Sequence, residues 1–496
     1  MSLHRLASGV LLPGFHGTTA PDWLLKRVAD GLGGVVLFGR NVVTVDGDDD
    51  QAPDAQVTAL NAQLRGVRAD VVIGIDEEGG DVTRLDAGRG SEVPGNHALG
   101  AADDVGLTRA VAASIGARLA ACGVSLNLAP SADLVLTLED PVIGVRSFGS
   151  DPVAAGAHVA AFVEGLQAVG VAACAKHFPG HGASTVDSHA ALPVLPRTPA
   201  ELASAEFVPF RAAVRAGVRS IMTGHLVVPE WGPAPATLNP LAVRVLREEL
   251  GFTGAIITDG LDMKAVGGDL AEGSVRSLAA GVDALCLGGE PLDDDGLQWL
   301  VDSIVAAVES GALPLERLEE AARRTAALGA PAASVQAHDP GLGLVAARRA
   351  LEVRGTLALS GPPVVVDLAV EPSIAVGDVP WGLGPYLTEL VPGTSVVAAT
   401  SAREIASLAA GRPVVVVTRE AHRHAWAREL VSSLGTIGLD LVHVETGVPG
   451  PDLGVGARVD THGGSRVCLR AAAERIAAAT ATPSAEPEPE PTGELR

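Results

Sequence analysis

The sequence predicts an α/β protein: a (β/α)8 TIM-type barrel over residues 1–330, followed by a smaller open α/β sandwich domain. Three observations predict it. Short, nearly continuous apolar runs recur eight times before residue 290. Segments of helical period separate most of them. A polar, breaker-rich stretch near 331–341 then resets the pattern, and a second alternation of strands and helices begins.

The eight runs are GVLLPG (9–14), GVVLFG (34–39), VVIGID (71–76), VSLNLAP (124–130), AACAKHF (172–178), RSIMTGH (219–225), AIITDG (255–260) and DALCLGG (283–289). Strands apolar on both faces belong in a parallel sheet covered on both sides. Between them DWLLKRVADGL (22–32), LTRAVAASIGARLAACG (107–123), VAAGAHVAAFVEGLQAVG (153–170) and ELASAEFVPFRAAVRAGV (201–218) repeat apolar residues at three and four. A doubly wound open sheet is the alternative, but eight units in this length favour the barrel. PLERLEEAARRTAAL (314–328) reads as its last helix, and APAASVQAHDPG (330–341) contains the linker, 331–341. The second domain, 342–480, carries VVVDLA (364–369), SVVAAT (395–400), PVVVVT (413–418) and LDLVHVE (439–445), with helical stretches at 420–435 and 465–480. It has no phosphate-loop or dinucleotide-binding glycine pattern. The Pro/Glu-rich tail 481–496 is expected to be disordered.

A length of 496 residues fits two or three domains, and 47% hydrophobic content provides large cores. The formal charge of −23 excludes nucleic acid and anionic membrane surfaces as partners, since both require basic patches. Cys122, Cys174, Cys286 and Cys468 are scattered without metal spacing and read as reduced core thiols. No long apolar segment suggests a membrane span or a leader, so a cytoplasmic location is the default.

Barrels of this kind do chemistry at the carboxyl ends of their strands. Here those ends hold Asp76, Lys176–His177, His225 and Asp259, and the loop after the fourth strand holds Arg146. Singly, an Asp there caps a helix, His225 is a structural imidazole and Arg146 is an ion-pair residue. Together on one rim they suggest a site. The segment KHFPGHGASTVDSH (176–189) adds three histidines. His177 and His181 have the spacing of a helical metal pair, but Pro179 and Gly180 break that helix and no thiolate is near, so no metal or other cofactor is expected. Asp187 and His189 differ. In an extended segment residues two apart face the same way, and a carboxylate beside an imidazole fixes its tautomer and raises its pKa. His189 is thus a candidate proton donor. The Gly-rich stretch 179–184 is expected to be flexible enough for this group to swing over a bound ligand.

LFGRN (37–41), DEEGG followed by Arg84, PVIGVRSFG (141–149), KHFPGHG…DSH (176–189) and TDGLDM (258–263) resemble, in order, the bacterial β-N-acetylglucosaminidases (β-N-acetylhexosaminidases) of glycoside hydrolase family 3. The resemblance covers about residues 5–330, and KHFPGHG with its downstream DSH is the most specific part. It implies a retaining mechanism on terminal β-linked N-acetylglucosamine, with a small carbohydrate as substrate. It implies Asp259 as nucleophile, His189 with Asp187 as acid and base, and Asp76, Arg84, Arg146, Lys176 and His177 as sugar-binding residues. Two positions depart from the family: Glu77 and Asp81 stand where Gln and Arg are common. An Asp81 on the pocket rim would alter preference beyond the sugar. Phosphate as acceptor, giving a phosphorylase, and plain β-glucosidase activity are the alternatives among enzymes. A non-catalytic sugar-binding protein is the alternative of another class, disfavoured because Asp259, Asp187 and His189 are all present. The sequence does not reveal the oligomeric state.

Overall fold

The computed structural model describes residues 2–44, 52–186, 192–263, 269–289, 291–330, 337–368, 370, 376–377 and 379–481. Each of the eight apolar runs contains a strand: β1 (Leu11–Pro13), β2 (Gly34–Leu37), β3 (Val72–Ile75), β4 (Leu126–Asn127), β5 (Ala172–Phe178), β6 (Ser220–Thr223), β7 (Ala255–Thr258) and β8 (Leu285–Leu287). β2 to β7 pair in sequence order, and β1 pairs with β8. Every pairing among them is parallel. The sheet is therefore curled, its first strand lying against its last. The Thr258 N–H donates to the Ala284 carbonyl at 3.0 Å, beside a bridge between Ile257 and Ala284. One apolar cluster draws a residue from every strand, among them Leu12, Val36, Val72, Leu126, Cys174 and Met222.

The outer helices are set by their ends and their small residues. Asp151 caps helix Pro152–Ala168 by accepting the Val153 and Ala154 N–H groups, and Pro152 fills a position that needs no donor. This helix packs on helix Val105–Ala121 through Gly165, where a Cβ would lie 2.4 Å from the Arg109 carbonyl. The stretch 201–218 forms two helices, Pro199–Ser204 and Phe207–Arg215. Pro209 has no N–H to return to Ala205, and Ala205 leaves the helical region at φ −125°.

A second sheet contains β9 (Glu352–Gly355), β10 (Val364–Asp367), β11 (Ser395–Val396), β12 (Val414–Thr418), β13 (Leu441–Glu445) and β14 (Ala457–Asp460), in the order β11-β10-β12-β13-β14-β9. All pairings are parallel except β14 with β9. Two of its strands are not among the expected runs. β9 is an edge strand of largely exposed residues. β14 puts Ala457 and Val459 into the apolar core and buries Arg458 against Asp460, Nε to Oδ1 2.6 Å, so its apolar residues alternate with an ion pair instead of forming a continuous run. Helix Gly341–Ala350 joins the two parts: Ala346 belongs to the first core, and Ala347 and Ala350 pack with Ala98, Val467, Cys468 and Ala471. Much of the expected linker, 331–336, and nearly all of the tail, 482–496, lie outside the described residues. All four cysteines are buried free thiols. Among the described residues no helix is long and apolar enough to cross a membrane.

Candidate active site

A cavity of about 280 Å³ opens at the carboxyl ends of the first sheet. Asp76, Arg84, Arg146, Lys176, His177 and Asp259 all line it. Asp187 and His189 lie outside the described residues. Phe38, Val82, Leu128, Val142, Met222 and Cys286 supply apolar wall.

The charged groups interlock. Lys176, its side chain 3% exposed, places Nζ 2.6 Å from Asp76 and 2.8 Å from Glu78. Burial alone would lower its pKa; the two carboxylates outweigh burial and hold it above the ordinary lysine value. Arg146 grips Glu78 with two donors, Nη2 at 2.7 Å and Nε at 3.1 Å. Glu78 is 2% exposed, and despite burial these two cations depress its pKa strongly. Arg84 Nη2 lies 3.9 Å from the second oxygen of Asp76. The Asn96 side chain donates to the Arg146 carbonyl at 2.7 Å, so backbone and guanidinium are both fixed.

Asp259 follows β7. Its N–H donates to the Thr223 carbonyl at 3.0 Å, and its Oδ1 accepts the Gly260 N–H at 2.8 Å. His225 supports this turn from behind: Nε2 contacts the Gly260 carbonyl at 2.8 Å and Nδ1 contacts the Thr237 hydroxyl at 2.9 Å. It is fully buried, does not line the cavity, and burial lowers its pKa. His225 is thus a structural imidazole.

On the other side Asp133 organises the histidine loop. It accepts the His181 N–H at 2.7 Å and the His177 N–H at 3.1 Å. Its Oδ2 also sits 2.7 Å from His177 Nδ1. A carboxylate there holds a proton on Nδ1 and fixes the orientation of the ring. His181 lines the cavity beside Asp140, Nδ1 to Oδ2 3.9 Å, and Asp140 and Asp133 raise its pKa against the effect of burial.

The family model for the glycosyl hydrolase family 3 N-terminal domain matches residues 19–328. The chain belongs to glycosyl hydrolase family 3. It is 36% identical over 287 residues to a β-hexosaminidase of Thiobacillus denitrificans, covering 56% of this chain and 76% of that protein. It is 37% identical over 289 residues to a β-hexosaminidase of Stenotrophomonas maltophilia, covering 56% and 81%. A solved family 3 β-N-acetylglucosaminidase from Paenibacillus sp. matches with a TM-score of 0.85 and 30% identity, over 97% of this chain and 98% of that one. These likenesses make this family 3 chain a glycoside hydrolase.

The two departures from the family pattern both point inward. Asp81 is buried, does not line the cavity, and binds Arg419 Nη2 at 2.5 Å and the Gly464 N–H at 3.2 Å. It ties the loop after β3 to the second sheet and is not a rim charge. Glu77 is buried, and its Oε2 accepts the Arg84 N–H at 2.8 Å and the Leu85 N–H at 3.1 Å. Burial, with Asp86 adding, pushes its pKa up to about 7. A protonated Glu77 has the shape and neutrality of the glutamine common at this position in family 3.

The glycine-rich stretch is not the expected hinge. Residues 179–182 are all buried, the Leu136 N–H donates to the Gly182 carbonyl at 3.1 Å, and a Cβ on Gly182 would lie 1.5 Å from the Leu134 carbonyl. Glycine here permits contact between two loops. Sequence reasoning also missed Glu78, Asp133 and Asp140. Glu78 had a usable signal, since it stands two residues after Asp76 in DEEGG. Asp133 and Asp140 sit in ordinary loop sequence and gain meaning only through the histidines they hold.

Proposed function

We propose that this family 3 hydrolase is a retaining, exo-acting β-N-acetylglucosaminidase. The observation that carries this reading is one cavity of about 280 Å³ in which Asp259 meets a pre-paired set of sugar-binding groups. That volume lies near the lower end for small-molecule sites and suits one terminal pyranose. The named relatives act on hexosaminides, which supports the N-acetylated sugar as substrate.

In the proposed reaction an Asp259 oxygen attacks the anomeric carbon while the bond to the leaving oxygen breaks. Negative charge on Asp259 stabilises the oxocarbenium-like state. The leaving oxygen takes a proton from His189, kept protonated by Asp187. In the second half His189 accepts a proton from water, whose oxygen displaces Asp259 and leaves the sugar with its original configuration. Asp76, Arg84, Arg146, Lys176 and His177 hold the hydroxyls. Because Glu78 and Asp133 already fix several of them, little side-chain freedom remains to be lost on binding.

Product analysis on aryl β-glycosides tests this. Free N-acetylglucosamine should form whether or not phosphate is present, and the glucoside should react far more slowly; sugar 1-phosphate as the main product would overturn the hydrolase reading. His189→Ala should lose about 10²- to 10⁴-fold on poor leaving groups and much less on activated ones. Equal losses on both would remove its acid role.

The curled sheet is, in this reading, a closed (β/α)8 barrel occupying residues 1–330, with 342–480 as a second α/β domain. The β1–β8 pairing and the cluster shared by all eight strands support closure.

A further inference from the structure

In the second sheet the chain leaves β10 for β11 on one side, then crosses back to β12 on the other. The direction of winding therefore reverses between β10 and β12. In open α/β sheets ligands bind outside the carboxyl ends of the strands at such a reversal. A cavity of about 450 Å³ lies at this place. Asp367 and Leu368 from the end of β10, and Val417 and Arg419 from the end of β12, form its floor. Val379 and Trp381 form one wall, and Ala87 and Gly88, from the segment after β3, form another. Among the described residues it shares no lining residue with the catalytic cavity. Val82, which lines the catalytic cavity, packs with Val376, Val379 and Trp381 as a partition between the two.

The polar groups restrict what could enter. Arg419 is partly committed: Nη2 binds Asp81 at 2.5 Å and its guanidinium lies 3.7 Å over the Trp381 ring, while its buried Nη1 has no hydrogen-bond partner among the described residues. Asp367 is held by backbone, accepting the Leu383 N–H at 3.0 Å, and among the described residues no cation acts on it. An anionic ligand would meet this carboxylate, and the one guanidinium among the described lining residues already has its charge offset by Asp81; the sequence has no phosphate-binding loop. A ligand suited to this lining gives hydroxyl hydrogens to Asp367 and lays an apolar ring face against Trp381 and Val379. A pyranose has this form, with hydroxyls at its edge and C–H groups on its face.

We propose that the crevice between the ends of β10 and β12 is a second, non-catalytic site for a neutral saccharide of one or two pyranose rings, with Asp367 as its hydroxyl acceptor and Trp381 as its apolar platform. This site does not rest on the assignment of the catalytic cavity.

Calorimetry on the full chain carrying Asp259→Asn, titrated with N-acetylglucosamine and its β-1,4 dimer, tests it. Two sites per chain are expected. Adding Asp367→Ala should weaken one of them by about tenfold or more. Ala87→Trp, which fills the crevice from the opposite wall, should do the same and decides the matter if the Asp367 variant does not fold. Lys176→Ala should weaken only the other site. In the parent background, Asp367→Ala and Ala87→Trp should keep aryl glycoside turnover within about twofold. One site per chain, lost with Lys176→Ala and indifferent to Asp367→Ala and Ala87→Trp, would overturn the second site and leave the glycosidase reading intact. A site that depends on Asp367, with none that depends on Lys176, would do the reverse. Preferential uptake of a nucleoside at the Asp367 site would overturn the saccharide assignment.

Discussion

Asp259 and Glu445 occupy equivalent places, each at the carboxyl end of a buried parallel strand, yet the proposed reaction gives them opposite work. Asp259 follows β7 and accepts the N–H of its own neighbour, Gly260, while lining a cavity. Glu445 ends β13 fully buried and accepts from the Glu420 N–H at 2.6 Å, the Gly447 N–H at 2.7 Å, the Thr418 hydroxyl at 3.0 Å and the Ala421 N–H at 3.1 Å. Its lone pairs are used in holding loops. A strand-end acid is therefore not a reactive group by position. What separates the two is their surroundings: Asp259 lines a cavity, whereas Glu445 is enclosed by the backbone donors it holds.

This contrast can be broken by substitution. Asp259→Asn should reduce turnover on the order of 10⁴-fold or more with little change in thermal midpoint, as read by steady-state kinetics beside calorimetry. Glu445→Ala should do the opposite, costing about 4 kcal/mol of unfolding free energy because several buried donors lose their acceptor, while the folded fraction keeps its KM. If Glu445→Ala left stability unchanged and abolished turnover, the contrast would be wrong.

The link between the two regions comes next in size. Asp81→Ala or Arg419→Ala should each destabilise by about 3 kcal/mol, since each leaves one buried charge alone. The exchange Asp81→Arg with Arg419→Asp should recover part of that loss, and the ranking of aglycones should not move. An altered ranking in the single variants would return Asp81 to the pocket rim.

The smallest effect concerns pH. Glu77 titrates near 7 in the folded chain against 4.5 for the ordinary side chain, so between these values the folded state holds a proton the unfolded state has lost. Its contribution is full below pH 4.5 and declines as pH rises towards 7, with a slope of at most about 1.4 kcal/mol per pH unit. Glu77→Gln should flatten this part of the stability–pH curve, measured by denaturant unfolding across the window. An unchanged curve would show that Glu77 is ionised throughout.

The first sheet was legible because its strands are buried on both faces and so appear as unbroken apolar runs. β14 was missed because only every second residue, Ala457 and Val459, enters the apolar core, while Arg458 and Asp460 pair with each other and interrupt the run. The site divides in the same way. Asp76, Arg146, Lys176 and Asp259 sit at or after strand ends and could be placed by counting strands. Asp133 and Glu78 act on other side chains, and only the folded arrangement reveals whom they touch. Gly182 misled because glycine serves both bending and close packing, and sequence does not distinguish the two.

Helix Gly341–Ala350 has a practical consequence for anyone wishing to shorten this protein. Ending the chain after Leu328 would match the limit of the family model but would strip the cover from Ala98 and leave Asp81 without Arg419. A minimal catalytic fragment would need new polar surface at the first scar and a neutral residue at the second before it could stand by itself.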